Sequence, residues 1–277
     1  MIALDLQYYR PASWEEAVNI YKSLADQGKN PVYYSGGTEV ITTLREGSLV
    51  ADAVIDLKGV PECRTLEFRG DSLVVGAAVT LNEVLDSGFF PLLGQIGRMF
   101  LDHTNRDKVT VGGNICSRLP YREMALPFLL TDSEVVLAGT QGVRRVGFSE
   151  VFDRVLRLNA TEVLLQVSAP KAQIEMPWAF ERRTRNAKIA YPLASVAGLY
   201  DGGYVRLVLS GVCDFPFRSW ALEQCMNDSS LPLSERLDRA MALLPADPRS
   251  DIDGSGEYRV ILAKNLLARV ARKLEVG

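Results

Sequence analysis

Two glycine pairs, far apart in the chain and each flanked by hydroxyl or amide residues, constrain this protein most. The first is Ser35-Gly36-Gly37-Thr38, directly after the apolar run Val32-Tyr33-Tyr34. The second is Thr110-Val111-Gly112-Gly113-Asn114, followed by Ile115-Cys116-Ser117. A diphosphate needs several N–H donors converging on it, and glycine lets a backbone come close with no Cβ in the way. Either pair alone reads as a tight turn. Two of them on either side of one diphosphate would make a dinucleotide site. Neither matches the Rossmann Gly-x-Gly-x-x-Gly or a P-loop with its Gly-Lys-Ser/Thr. Their flanks strengthen the reading: Thr38 and Thr110 offer hydroxyls, Asn114 an amide and Ser117 a further hydroxyl, all suited to phosphate or ribitol oxygens.

The rest of the composition narrows the function by exclusion. With 31 Lys and Arg against 34 Asp and Glu, the net charge of −3 suggests neither a nucleic-acid partner nor a membrane surface. Apolar runs are too short for a spanning helix, and Met1-Ile2-Ala3-Leu4-Asp5 lacks the basic start of a signal peptide, so the expectation is a cytoplasmic protein. The four cysteines, Cys63, Cys116, Cys213 and Cys225, are scattered, and with the single His103 they make no metal-site spacing. An iron–sulfur cluster needs about four closely arranged thiolates. If this chain moves electrons, its redox centre is an organic cofactor.

A length of 277 residues allows two or three compact units. Ser13 and Glu16 have capping-box spacing ahead of a helix that Gly28 ends. Pro31 to Tyr34 reads as a short strand entering the first glycine loop. Thr38 to Arg45 reads as a helix leaving it, which puts the loop at a helix N-terminus, where unpaired N–H groups favour an anion. Strands follow at 53–57, 65–69, 72–78, 134–138 and 161–167, with helices at 81–86, 92–101 and 124–130. Ala169-Pro170 is read as a boundary. Beyond it, 178–183, 191–200 and 203–212 form a three-stranded sheet, and helices at 234–244 and 257–274 finish the chain. The fold class is α+β, with a first unit over 1–170, subdivided at about 58, and a C-terminal α+β unit over 171–277.

Other candidates carry less. His103 lies in a polar stretch and reads as structural or solvated rather than as a catalytic base or a covalent flavin anchor. Glu181-Arg182-Arg183-Thr184-Arg185 is a charge run of the kind that covers a surface. Cys116, beside the second loop, reads as a small buried filler. No Ser/His/Asp set or carboxylate pair stands out, so no catalytic residue and no metal ligand is assigned.

In order along the chain, Tyr9-Arg10-Pro11-x-Ser13-x-x-Glu16-Ala17, Ser35-Gly36-Gly37-Thr38-Glu39, Asp102-His103-x-x-Arg106, Thr110-Val111-Gly112-Gly113-Asn114, Leu164-Leu165 before Pro170, and Ser255-x-Glu257-Tyr258-Arg259 resemble the FAD-binding medium subunit of molybdenum hydroxylases. That family includes the flavin subunits of xanthine dehydrogenase and aerobic carbon monoxide dehydrogenase. The resemblance implies a two-subdomain FAD-binding fold of the vanillyl-alcohol-oxidase type plus a small C-terminal domain. It implies non-covalent FAD held by Tyr34, Ser35, Gly36, Gly37, Thr38 and Glu39 and by Thr110, Val111, Gly112, Gly113 and Asn114, with Leu165 alongside. It places Glu123 on the adenosine end, where the family has Asp. Lys188 and Ile189 fall near the flavin ring, Lys188 where the family has an acid.

The implied chemistry is electron relay within a heterotrimer. A partner large subunit with a molybdenum cofactor hydroxylates the substrate, and a small subunit with [2Fe-2S] clusters carries single electrons out. FAD in this chain collects two electrons and passes a hydride to NAD⁺, or electrons to another acceptor. Such a role needs no side-chain acid or base here. The leading expectation is a xanthine dehydrogenase-like complex. Carbon monoxide, nicotinate and aldehyde dehydrogenase complexes, a self-contained oxidase with the same flavin fold, and a non-catalytic nucleotide-binding assembly module are the alternatives.

Overall fold

The computed structural model describes residues 5–186 and 190–275, with the side chain of residue 275 left aside. Lys188 and Ile189, expected near the flavin ring, and residues 1–4 lie outside the described residues.

The chain opens with β1 (Gln7–Tyr9) and α1 (Trp14–Asp26). Ser13 Oγ accepts the Glu16 N–H at 3.2 Å, while the Glu16 carboxylate accepts from Ala12 N–H rather than from Ser13, so the predicted cap forms with its return bond one residue early. Next come β2 (Pro31–Tyr34), α2 (Thr38–Glu46) and β3 (Ala53–Asp56). The three strands form a parallel sheet in the order β1-β3-β2. Parallel neighbours need crossover connections, which α1 and α2 supply. β1 has no counterpart in the sequence reading: it is three residues long and polar, and only its register with β3 makes it a strand.

The second unit is antiparallel. It contains β4 (Leu66–Arg69), β5 (Ser72–Gly76), the helices α3 (Leu81–Ser87), α4 (Pro91–Phe100), α5 (His103–Arg106), α6 (Val111–Ile115) and α7 (Ala125–Leu130), then β6 (Glu134–Gly139) and β7 (Gly142–Gly147). After the short α8 (Phe148–Val151) and the two-residue strands β8 (Phe152–Asp153) and β9 (Val155–Leu156), β10 (Val163–Pro170) closes a five-stranded sheet in the order β4-β5-β10-β6-β7. β10 lies at its centre and is buried up to Ala169, which is why its sequence is mostly apolar, with Gln166 and Ser168 the buried polar exceptions. One core joins this sheet to α3, α4 and α7 and takes in Ile55 and Leu57 from the first unit.

Beyond α9 (Lys171–Ile174), β11 (Trp178–Thr184), β12 (Pro192–Asp201), β13 (Tyr204–Ser210) and β14 (Phe217–Arg218) form an antiparallel sheet of four strands rather than the expected three. β14 is only two residues long, too short for a period-2 signal. α10 (Trp220–Met226), α11 (Leu233–Ala242) and α12 (Gly256–Glu275) cover one face, and a second core lies between them and the sheet. Among the described residues no helix is long and apolar enough to cross a membrane.

Arg259 explains the motif at the start of α12. It is fully buried, donates to the carbonyls of Pro192, Leu193 and Gly211, and pairs with Asp251 at 2.7 Å. A buried cation deprived of its partner costs about 3–5 kcal/mol, so Asp251→Ala should lower unfolding free energy by roughly that amount in urea titrations. Burial pushes the Asp251 carboxyl up, but hydrogen bonds from Arg259 and Arg249 overrule it and bring it down to about 2. A depressed carboxyl contributes stability above the ordinary carboxylate range and loses it as pH falls through the folded value. The melting temperature should therefore fall between about pH 4 and pH 2 more steeply in the wild type than in Asp251→Ala.

Candidate functional site

The two glycine segments come from different units and meet backbone to backbone. A Cβ on Gly36 would overlap the carbonyl of Lys108, just ahead of the second segment. Gly37 sits in the left-handed region (φ 74°), where a side chain would also overlap the Tyr34 ring. Gly112 is packed so closely on Ala77 that a Cβ would overlap its backbone. These glycines are thus required first by the fold: Gly36 lets its turn reach Lys108, Gly37 lets the turn close over Tyr34, and Gly112 lets its segment pack on Ala77.

The two segments differ sharply in their hydrogen bonding. The second is not an open loop but the first turn of α6, capped by Thr110, whose Oγ accepts the Gly113 N–H at 3.1 Å. Val111 N–H bonds Val79 O, Gly112 N–H bonds Ala77 O, and Asn114 N–H bonds Thr110 O. Leu165, at a bulge in β10, accepts the Ala77 N–H through its carbonyl and so supports this turn from below. Every backbone donor from Val111 to Asn114 is therefore spent. Asn114 Oδ1 accepts the Met124 N–H at 3.0 Å, and its NH₂ group makes no hydrogen bond among the described residues.

The first segment is the reverse. Among the described residues, the N–H groups of Gly36, Gly37, Thr38, Glu39 and Val40 make no hydrogen bond, and no side chain caps α2. Ser35 Oγ is buried and has no partner. A helix start with unpaired N–H groups and the positive end of its dipole is an anion site. Thr38 is exposed at its rim. Glu39 accepts the Arg118 N–H at 3.0 Å and so ties α2 to the chain leaving α6.

Glu123, expected on the adenosine end, is a buried, bonded carboxylate. Its side chain is 0% exposed, bonded by Arg182 Nε at 3.0 and 3.1 Å and by Ser195 Oγ. It joins the segment after α6 to the C-terminal sheet, and Arg182 also donates to Ala190 O at 2.6 Å. Arg182, read as part of a solvated charge run, belongs to this buried pair; only the facing Glu123 reveals it. His103 lies exposed, 3.7 Å from Asp107, and Cys116 is exposed rather than a buried filler. Sequence reasoning also missed the stacked pair Tyr121 and Tyr191, 4.7 Å apart between ring centres, because the two are distant in the chain. Among the described residues no group of His, Cys, Asp and Glu is arranged to hold a metal.

A three-stranded parallel sheet and a five-stranded antiparallel sheet, with an uncapped helix start beside the approach of Gly36 to Lys108, offer a candidate site for a nucleotide diphosphate. The chain belongs to the family described as the FAD binding domain in molybdopterin dehydrogenase, whose model matches residues 4–172. It is 22% identical to the carbon monoxide dehydrogenase medium chain of Hydrogenophaga pseudoflava, over 97% of this chain and 96% of that one. It is 25% identical to the xanthine dehydrogenase FAD-binding subunit of Escherichia coli O157:H7, over 95% and 94%. A solved carbon monoxide dehydrogenase from H. pseudoflava, which lacks the Mo-pyranopterin moiety of the molybdenum cofactor, shares the fold with a TM-score of 0.89. That match covers 100% of this chain and 99% of the other at 22% identity.

The residues present fit FAD: a row of unpaired N–H groups, an orphaned buried hydroxyl and a free amide suit a diphosphate and its neighbouring hydroxyls. Gly36→Ala should separate the two segments. A forced overlap with backbone costs about 1–3 kcal/mol, so the variant should melt several degrees lower and retain no flavin after gel filtration. Unchanged melting and flavin content would show that the Gly36–Lys108 approach is not needed.

Proposed function

We propose that this chain is the flavin subunit of a molybdenum hydroxylase complex, binding FAD non-covalently and relaying electrons between a partner and an acceptor. The observation that carries the reading is the run of five unpaired N–H groups from Gly36 to Val40 beside the orphaned Ser35 hydroxyl. Ser35, Gly36, Gly37 and Thr38 would hold the diphosphate, with Tyr34 and Glu39 fixing the turn from either side. The capped turn from Thr110 to Asn114 would form the opposite wall and supply the Asn114 NH₂. Bound FAD would supply a store that takes up electrons singly and releases them as a pair.

What the chain's own residues do is bind, orient and exclude water. The Glu123–Arg182–Ser195 cluster keeps the C-terminal sheet locked against the segment leaving α6, and so fixes one wall of the cleft. No proton has to move through a side chain, which suits a site whose only histidine is exposed. A large subunit with a molybdenum cofactor and a small subunit with [2Fe-2S] clusters complete the proposed complex, and NAD⁺ is the proposed acceptor. Xanthine remains the first substrate reading and carbon monoxide the second. That relatives named for both match nearly the whole chain supports a substrate bound on the partner.

Purification from the native host tests this. The expected product is a yellow complex containing molybdenum and iron, whose flavin is released by acid precipitation. A colourless chain that takes up no added FAD and copurifies with no metal-bearing partner would sink the proposal.

A further inference from the structure

We infer that Lys58 is a positioning residue for the diphosphate, acting with Asp56 and Tyr8 to aim the first glycine turn. The inference rests on the reading of that turn as the FAD diphosphate site. Lys58 follows β3, at the carboxyl end of the parallel sheet, the end at which open parallel sheets bind ligands. Its Nζ donates to Ser35 O at 2.8 Å and to Asp56 at 2.8 Å, and lies 4.6 Å from the centre of the Tyr34 ring. The Ser35–Gly36 peptide is trans, so its C=O and N–H point to opposite sides. Holding the carbonyl on Lys58 therefore turns the Gly36 N–H the other way, to join the unpaired donors that follow it.

The support behind Lys58 is built from three strands. Asp56 is only 3% exposed, and both its oxygens are engaged. Tyr8, on β1, donates to Oδ2 at 2.7 Å, and the Lys58 backbone N–H donates to Oδ1 at 2.9 Å. Burial pushes the Asp56 carboxyl up, and the bonds from Lys58 and Tyr8 bring it below the usual carboxylate range, so it stays charged and keeps the ammonium in place. Gly59 lets this turn pack beneath Pro11, whose carbonyl a Cβ would overlap. A long, flexible side chain loses rotamer freedom when it is fixed. Here that cost is spent on one carbonyl of a half-exposed turn, which water would satisfy equally well. The arrangement makes sense if the orientation of that peptide matters, and if a positive charge is wanted beside an anion. The Lys58 side chain remains 38% exposed, so its charge is not sealed from solvent beside Ser35.

The test compares Lys58→Met, Lys58→Arg and Tyr8→Phe in the deflavinated full chain, titrating FAD and, separately, ADP. Loss of a charge-assisted bond predicts that Lys58→Met weakens FAD about tenfold or more. ADP should weaken by a similar factor, and Lys58→Arg should recover most of the loss. Tyr8→Phe, which leaves Lys58 in place, should lose about two- to threefold, and serves if Lys58→Met fails to fold. Lys58→Met also leaves the buried Asp56 carboxylate without its cation and should itself melt lower, so aiming the turn is separated from holding up the fold by Tyr8→Phe and Lys58→Arg, which keep the pair and should melt within a few degrees of wild type when flavin-free. FAD binding within about twofold of wild type in both Lys58→Met and Tyr8→Phe, or FAD weakened while ADP is not, overturns the inference. A wild-type chain that binds ADP but no FAD overturns the flavin reading instead, and the ADP titrations then still decide the role of Lys58.

Discussion

Gly36 brings the turn after β2 into backbone contact with the Lys108 carbonyl, and the rest of the site depends on that approach. The two units share one core while their sheets are separate, and this contact, with the Glu39–Arg118 bond, sets the glycine segments relative to each other. Because the contact is between backbones, it admits no side chain at Gly36 and is insensitive to rotamers. The approach of the two segments is thus set by backbone against backbone rather than by flexible side-chain packing.

The contrast in hydrogen bonding across that contact gives the site its direction. An unmade buried donor is costly, so a turn with all its donors satisfied is a rigid wall. A turn with five donors open is waiting for a ligand or water. Symmetric glycine pairs in the sequence therefore have unlike roles. The Thr110 hydroxyl, suited on paper to a phosphate, is spent on Gly113 N–H, whereas the Ser35 hydroxyl has no partner at all.

Buried charge does the remaining positioning. Glu123 with Arg182, and Asp251 with Arg259, are pairs whose separation would strand a charge out of water, which makes them firm but not especially stabilising ties. The first ties the segment leaving α6 to the C-terminal sheet; the second anchors α12 to the ends of β12 and β13. The family reading placed Glu123 on cofactor, and the fold gives it an arginine.

The sequence alone carried the longer helices, the long buried strands and the location of both glycine turns, because these are local; it did not carry the short helices α5, α6, α8 and α9 or the helix α10. Ser13 and Glu16 mark a cap, Val163 to Ala169 spells a buried strand, and Gly36-Gly37 follows a strand and precedes a helix. It did not carry β1, β14, the Tyr121–Tyr191 stack or the Glu123–Arg182 pair. Each exists only through a partner distant in sequence, and residues such as Gln7 or Phe217 have no periodicity of their own. Which glycine turn is open and which is closed belongs to the same class. It depends on where Val79, Ala77 and Leu165 lie, and so on how two sheets pack. The sequence determined that this chain has glycine turns fit for a diphosphate. The tertiary structure decided which of them has donors left to give, since a hydrogen bond already made inside the protein is not available to a ligand.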